Sequence, residues 1–321
     1  MSRHKIYSRD RNKFQISKNT LVFLCVLLST FSPDQQEQGA RAARQKKLKV
    51  KFESNSNGHL SKSAVIKWLQ HSREAVSQYY GLFPINIEDL TVTIDEEEGD
   101  SVGLGTTNAE ERQAAIEIRI GEDISESRLM HDWTATHEMT HLAMPILGRA
   151  DRWVAEGMAT YVEPIARLQL GQVSPEEIWG DLARNAPRAL RRQDKGFRGT
   201  RDLGELYWGG AIWCLLADIQ IRQKTQNRFG FQDAMRGIVK SGATVFSDYS
   251  ARDALKSGDE AIGASVLVPL YEQFSTGPIN VDHDDLLQKL GIIRSGGTVH
   301  FDNTAPLANI RRAIEAGKEP G

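Results

Sequence analysis

Two histidines four residues apart, with a glutamate directly after the first, stand at His137-Glu-Met-Thr-His141. On a helix this spacing projects both imidazoles from one face, as two ligands of a single Zn²⁺ require, while Glu138 sits about 100° round the helix, within reach of a water at the metal. Catalytic zinc takes three protein ligands and leaves its fourth position to water. The next helical segment, Asp151-Arg-Trp-Val-Ala-Glu156-Gly-Met-Ala-Thr-Tyr161-Val-Glu163, supplies the economical third ligand in Glu156. The short, turn-rich connection Pro145–Asp151 folds this segment back beside the first. Glu163 lies seven residues beyond Glu156, two turns along the same face, and is placed to accept the second N–H of a zinc-binding histidine.

These residues need elements to hold them. Ser61 or Ser63 caps a helix that runs to Gly81, with Val65, Trp68, Leu69, Val76, Tyr79 and Tyr80 in helical period. The period then changes to two. Leu90–Ile94 and Ala115–Ile120 alternate apolar and polar residues and read as strands of a small sheet, with Val102–Gly105 as a short strand or turn. One of the last two, 115–120 or the Gly103–Gly105 region, forms an edge of the sheet whose backbone is open to pairing with a further strand. From about residue 128 the pattern is helical: 129–146, 152–169, 174–192, 205–226, 231–240, 260–274, 283–290 and 306–316. The order is α+β, a small mixed-sheet lobe at about 59–146 with the metal-binding helices, then a helical lobe at about 147–321.

Charge is unevenly distributed. The first 51 residues hold twelve Lys and Arg against three acids, a net of +9; the whole chain carries −2, so residues 52–321 carry −11. An acidic body lacks the basic face needed to neutralise phosphates, which excludes nucleic acid as a partner. The basic start runs into the apolar stretch Leu21–Phe31, whose eleven residues suit a secretory signal better than a spanning helix. The expectation is a leader over 1–42, a linker over 43–58, and an exported domain over 59–321, periplasmic, extracellular or facing outward from an anchor. Membrane contact is then confined to an uncleaved N-terminal segment. Only Cys25 and Cys214 are present, so the body forms no internal disulfide, and Cys214, among apolar residues of a helix, is an inert buried thiol. Trp179, Trp208 and Trp213 read as core, Asp95–Asp100 as a solvated turn, and the acids around His283 as a helix N-terminus.

The pair His-Glu-Met-Thr-His and Trp-Val-Ala-Glu-Gly-Met-Ala-Thr-Tyr-Val-Glu resembles the gluzincin metallopeptidases of the peptidase MA-like superfamily. Leu206-Tyr-Trp-Gly-Gly-Ala-Ile-Trp and Phe231-Gln-Asp-Ala-Met-Arg236 are similar to segments of the glycyl aminopeptidase-like family. The resemblance implies a zincin-type fold and a zinc-dependent peptidase. In it His137, His141 and Glu156 bind one Zn²⁺, Glu138 is the general base, and Tyr207 donates to the developing oxyanion. The implied partner is a peptide or protein substrate. Gly209 stands where the family has Lys, and no Gly-Ala-Met-Glu-Asn-type stretch is present, so peptide hydrolysis rather than amino-terminal specificity is implied. Two other readings of the same constellation stay open: a gluzincin-like peptide-binding or scaffold protein without turnover, and a zinc hydrolase of a non-peptide bond such as an ester or epoxide.

Overall fold

A computed structural model of the chain describes residues 47–53, 60–190 and 194–317. The apolar run 21–31 and the rest of the expected leader over 1–42 lie outside the described residues. Among the described residues no helix is long and apolar enough to cross a membrane.

The sheet contains β1 (Lys49–Glu53), β2 (Leu90–Glu97), β3 (Val102–Glu110) and β4 (Gln113–Gly121), in the order β1-β2-β4-β3. β1 and β4 flank β2 in parallel, and β3 pairs antiparallel with β4. The expected alternation holds: Leu90, Val92 and Ile94 of β2 and Ile116, Ile118 and Ile120 of β4 are buried on one face. β1 lies within the stretch expected as a linker over 43–58, of which residues 47–53 are described. Val50 and Phe52 pack against the core while Lys49, Lys51 and Glu53 face solvent, so the basic residues sit on the outer face of an edge strand. From Leu48 on, the chain forms one compact unit.

Helix α1 (Lys62–Tyr80) starts at Ser61, whose hydroxyl accepts from the Ala64 amide, and ends at Gly81 in the left-handed region. It buries the predicted stripe Val65, Trp68, Leu69, Val76, Tyr79 and Tyr80. The segment predicted as one helix over 129–146 is broken into α2 (Glu126–His131) and α3 (Thr134–His141). Asp132 makes the break, because its carboxylate accepts from the Thr134 amide and starts the second helix, while its carbonyl accepts from the Trp68 indole.

The helical part comprises α4 (Arg152–Gln169), α5 (Pro175–Ala189), a π-helical turn (Glu205–Gly209) running into α6 (Gly210–Thr225), then α7 (Phe231–Lys240), α8 (Ala251–Ile262), α9 (Leu267–Thr276), α10 (His283–Leu290) and α11 (Ala308–Ala316). A hairpin of β5 (Ile292–Ser295) and β6 (Thr298–Phe301) replaces the loop expected after residue 290. The stretch expected as one helix over 260–274 belongs to two, α8 and α9, joined at the left-handed Gly263. Buried Asp218 ties three of these helices together, accepting from the Tyr161 hydroxyl, the Arg222 guanidinium and the Phe231 amide.

α4 and α6 meet backbone to backbone. A Cβ added at Gly157 would lie 2.2 Å from the Gly210 Cα, and one at Gly210 would lie 2.5 Å from the Gly157 Cα. This contact sets the distance between Glu156, one residue before Gly157, and the π-helical turn that ends at Gly209. Gly157→Ala is therefore expected to push the two helices apart and cost about 1–3 kcal/mol, the usual range for overpacking. Chemical denaturation checks it; a variant as stable as the parent would mean that the helices slide at no cost.

Candidate metal centre

Helix α3 presents His137 and His141 from the same face, with ring centroids 4.9 Å apart. Helix α4 packs against it and brings Glu156 between the rings. Its Oε2 lies 3.5 Å from His137 Nε2 and 3.6 Å from His141 Nε2. One ligand atom from each of the three residues can be chosen so that all lie within 4.8 Å of one another. A tetrahedral zinc with bonds of about 2 Å holds its ligand atoms roughly 3.3 Å apart. The two imidazole nitrogens and the carboxylate oxygen thus match zinc in donor type and nearly in spacing.

Electrostatics favour the same use. Burial lowers the pKa of His137, which keeps the ring neutral and able to donate its lone pair. Burial also opposes ionisation of Glu156, yet the hydrogen bonds from His137 and His141 prevail and hold its carboxyl well below the usual carboxylate range. At His141 burial again lowers the pKa, but Glu156 and Glu138 outweigh it and raise the net value, so a proton competes with a cation at this nitrogen.

Glu138 lies under the edge strand. The sheet order assigns the free edge to β3 rather than to 115–120, which is interior. A register irregularity between Val102 and Gly105 brings Gly105 close to the helix: a Cβ there would fall 2.6 Å from Glu138 Cγ. Two residues on, the Thr107 hydroxyl lies 2.6 Å from Glu138 Oε2 and 2.9 Å from the Glu138 carbonyl oxygen. Strand and helix therefore hold the carboxylate between them.

The π-helical turn carries Tyr207, whose ring stacks on His137 with centroids 5.8 Å apart. Burial first, and the negative charge of Glu156 second, push its pKa up to about 12, so the hydroxyl keeps its proton at neutral pH. Two residues on, a Cβ at Gly209 would lie 2.6 Å from the Phe197 ring, which explains why this position holds glycine where the resembling family has lysine.

Glu163 has a different partner from the one expected. Its Oε1 accepts from Arg167 Nη1 at 2.7 Å, and among the described residues no hydrogen bond joins it to His137 or His141. Seven residues along a helix is roughly 10 Å, and the arginine four residues on is the nearer partner. Arg152 was not singled out in the sequence, although its spacing to Glu156 is also four. Its Nε and Nη2 each lie 2.9 Å from Glu156 Oε1, which leaves Oε2 facing the histidines. Thr107 was missed too, because the two glycines before it obscure the alternation of β3. Of the three tryptophans read as core, Trp179 and Trp213 are buried, whereas half-buried Trp208 lines a cavity beside His137. Cys214 is a buried free thiol, as expected.

No family model and no curated protein matches the sequence. Solved structures do. An aminopeptidase N family protein from Idiomarina loihiensis superposes with a TM-score of 0.50 at 12% identity, over 76% of this chain and 47% of that one. The M1 zinc metallopeptidase from Deinococcus radiodurans gives 0.45 at 15% identity, over 72% and 48%. The chain thus spans about half the length of the solved structures it matches. The likeness shows the fold: a zincin-type α+β arrangement, in accord with the gluzincin resemblance, here carrying a His-His-Glu cluster.

Proposed function

We propose that the chain is a zinc-dependent peptidase that holds one Zn²⁺ through His137, His141 and Glu156 and hydrolyses peptide bonds by water attack. The observation that carries this reading is the convergence of two neutral-capable imidazoles and one ionised carboxylate next to a second carboxylate, Glu138, beneath an open strand edge. Zinc in this site would polarise the scissile carbonyl and lower the pKa of the attacking water.

The remaining steps belong to the chain's own residues. Glu138 takes the proton from the attacking water and passes it to the departing nitrogen, with Thr107 steadying Oε2 and so fixing which oxygen is free to act. Tyr207 donates a hydrogen bond to the oxygen that gathers negative charge, an interaction made mainly in the transition state. The free edge of β3 pairs with the peptide backbone. The basic start and the apolar run at 21–31 support export, so the substrate is met outside the cytoplasm.

The purified protein is expected to carry about one zinc ion per chain, as a three-ligand donor set implies. It should cleave a mixed peptide pool, stop when phenanthroline strips the metal, and resume when zinc is returned. A zinc-replete chain inert towards every peptide would overturn the reading. Tyr207→Phe should lower kcat by about a hundredfold or more with KM little changed, the loss typical of one oxyanion donor. Steady-state kinetics test this, and an unaltered kcat would remove Tyr207 from the site.

A further inference from the structure

A cavity of about 520 Å³ opens directly beside His137 and Tyr207 and extends along α4 towards α5. Trp208 and Trp179 are among its walls, Ile178 and Leu182 add apolar surface, and Glu163 and Arg167 also line it. Both of the latter side chains are more than nine-tenths buried, at 9% and 7% exposure. Resting on the peptidase reading above, we propose that this cavity receives a lysine or arginine side chain flanking the scissile bond, and that Glu163 is the carboxylate that pairs with it.

Charge decides between the possible occupants. The cavity is lined by three acids, Glu163, Glu177 and Asp181, and two arginines, Arg167 and Arg184. Both arginines are already matched. Arg167 donates to Glu163 and to the His131 carbonyl, each at 2.7 Å, and Arg184 pairs with Asp181 at the exposed rim. With these two pairs closed the acid left over is Glu177, whose Oε2 accepts from the Ser174 amide and hydroxyl at the start of α5, and the body around the cavity is acidic as well. An acidic side chain entering here would meet three carboxylates and find both guanidiniums engaged. A cation would meet Glu163, whose Oε1 accepts from Arg167 and whose carboxyl lines the cavity.

The walls suit a long cationic side chain. Its methylene stem lies against Ile178 and Leu182, and indole faces attract the charged head. The Trp179 ring is fixed in place by its indole N–H, which donates to Glu315 at 2.8 Å. A purely apolar occupant would seal Glu163 and Arg167 further from water without adding a partner. Burial already raises the Glu163 carboxyl to about 7 despite Arg167, so a second cation relieves a real cost.

The test uses the full chain and peptides that differ at one residue: lysine, norleucine, which lacks only the ammonium, or glutamate. Cleavage of these peptides on the zinc-loaded protein should favour lysine over norleucine by about ten- to hundredfold, the span of one charge-assisted hydrogen bond. Glu163→Gln should erase the preference, so that lysine and norleucine peptides are cleaved at similar rates. A purely structural Glu163 would instead weaken both peptides alike. Asp181→Asn, on the exposed rim, should reduce the preference by a smaller factor and guards against a misfolded Glu163 variant. Cleavage without a basic preference, or a preference that survives Glu163→Gln, would overturn the pocket assignment and leave the peptidase reading intact. If no peptide is cleaved, the peptidase reading falls. Binding of the same peptides to the Glu138→Gln chain, followed by tryptophan emission, then decides the pocket: tighter binding of the lysine peptide sustains it and equal binding overturns it.

Discussion

Glu138→Gln is expected to retain its zinc while losing turnover by about a thousandfold, within the range a positioned general base contributes. The substitution keeps the shape of the side chain and its place beneath β3. An amide oxygen can still accept from the Thr107 hydroxyl at the position now held by Oε2. What disappears is the basic oxygen that takes the proton. Because Glu138 is not one of the three residues whose ligand atoms converge, metal content should not change. Elemental analysis alongside peptide hydrolysis therefore separates two roles that a simple loss of activity would merge. If the variant turned over peptides at the parent rate, Glu138 would be a structural contact of the edge strand, and the water-attack mechanism would need another base.

The elements around this residue show what a sequence discloses and why. The His137/His141 pair and Glu156 were legible because helical spacing converts directly into a shared face, and a three-ligand requirement then restricts where the partner can be. The stripe of α1 and the alternation of β2 and β4 were legible for the same reason: burial on one face imposes a period. β1 was obscured because its inward residues are only Val50 and Phe52, set among lysines that a composition-based reading assigns to a linker. The β5–β6 hairpin had a local signal, Gly296-Gly297, both with positive φ, between two short β-rich runs. Its strands are four residues each, too short for a period to emerge. The Glu163 expectation shows a different limit. Spacing places a side chain on a face, but Arg167, four residues on and buried with it, takes the hydrogen bond. Glu156 obeys the same rule with Arg152, and there the local pair serves the site because the carboxylate has a second oxygen to offer.

Glu156→Ala is expected to lose zinc outright, and the division of labour between the two carboxylate oxygens makes this prediction sharper than a ligand deletion alone. Oε2 is the atom within 3.6 Å of both imidazoles, and Oε1 is held by Arg152. Removing the side chain leaves two histidines, and a two-imidazole site cannot complete the donor set that structural and catalytic zinc share. Removing only the orienting group should be milder. Arg152→Ala keeps all three ligands but frees Glu156 to rotate, and loss of such an outer partner costs about ten- to hundredfold in metal affinity. Arg152 is itself 55% exposed, so its truncation leaves no hole in the core, and the variant should melt near the parent in the metal-free state. Competition for zinc against a chelator of known affinity reads the series directly: parent tightest, Arg152→Ala intermediate, Glu156→Ala without measurable binding. An Arg152→Ala protein that binds zinc as tightly as the parent would mean that packing of α4 against α3 alone orients the glutamate. A Glu156→Ala protein that still holds zinc would place the third ligand elsewhere and remove the geometric basis for the site.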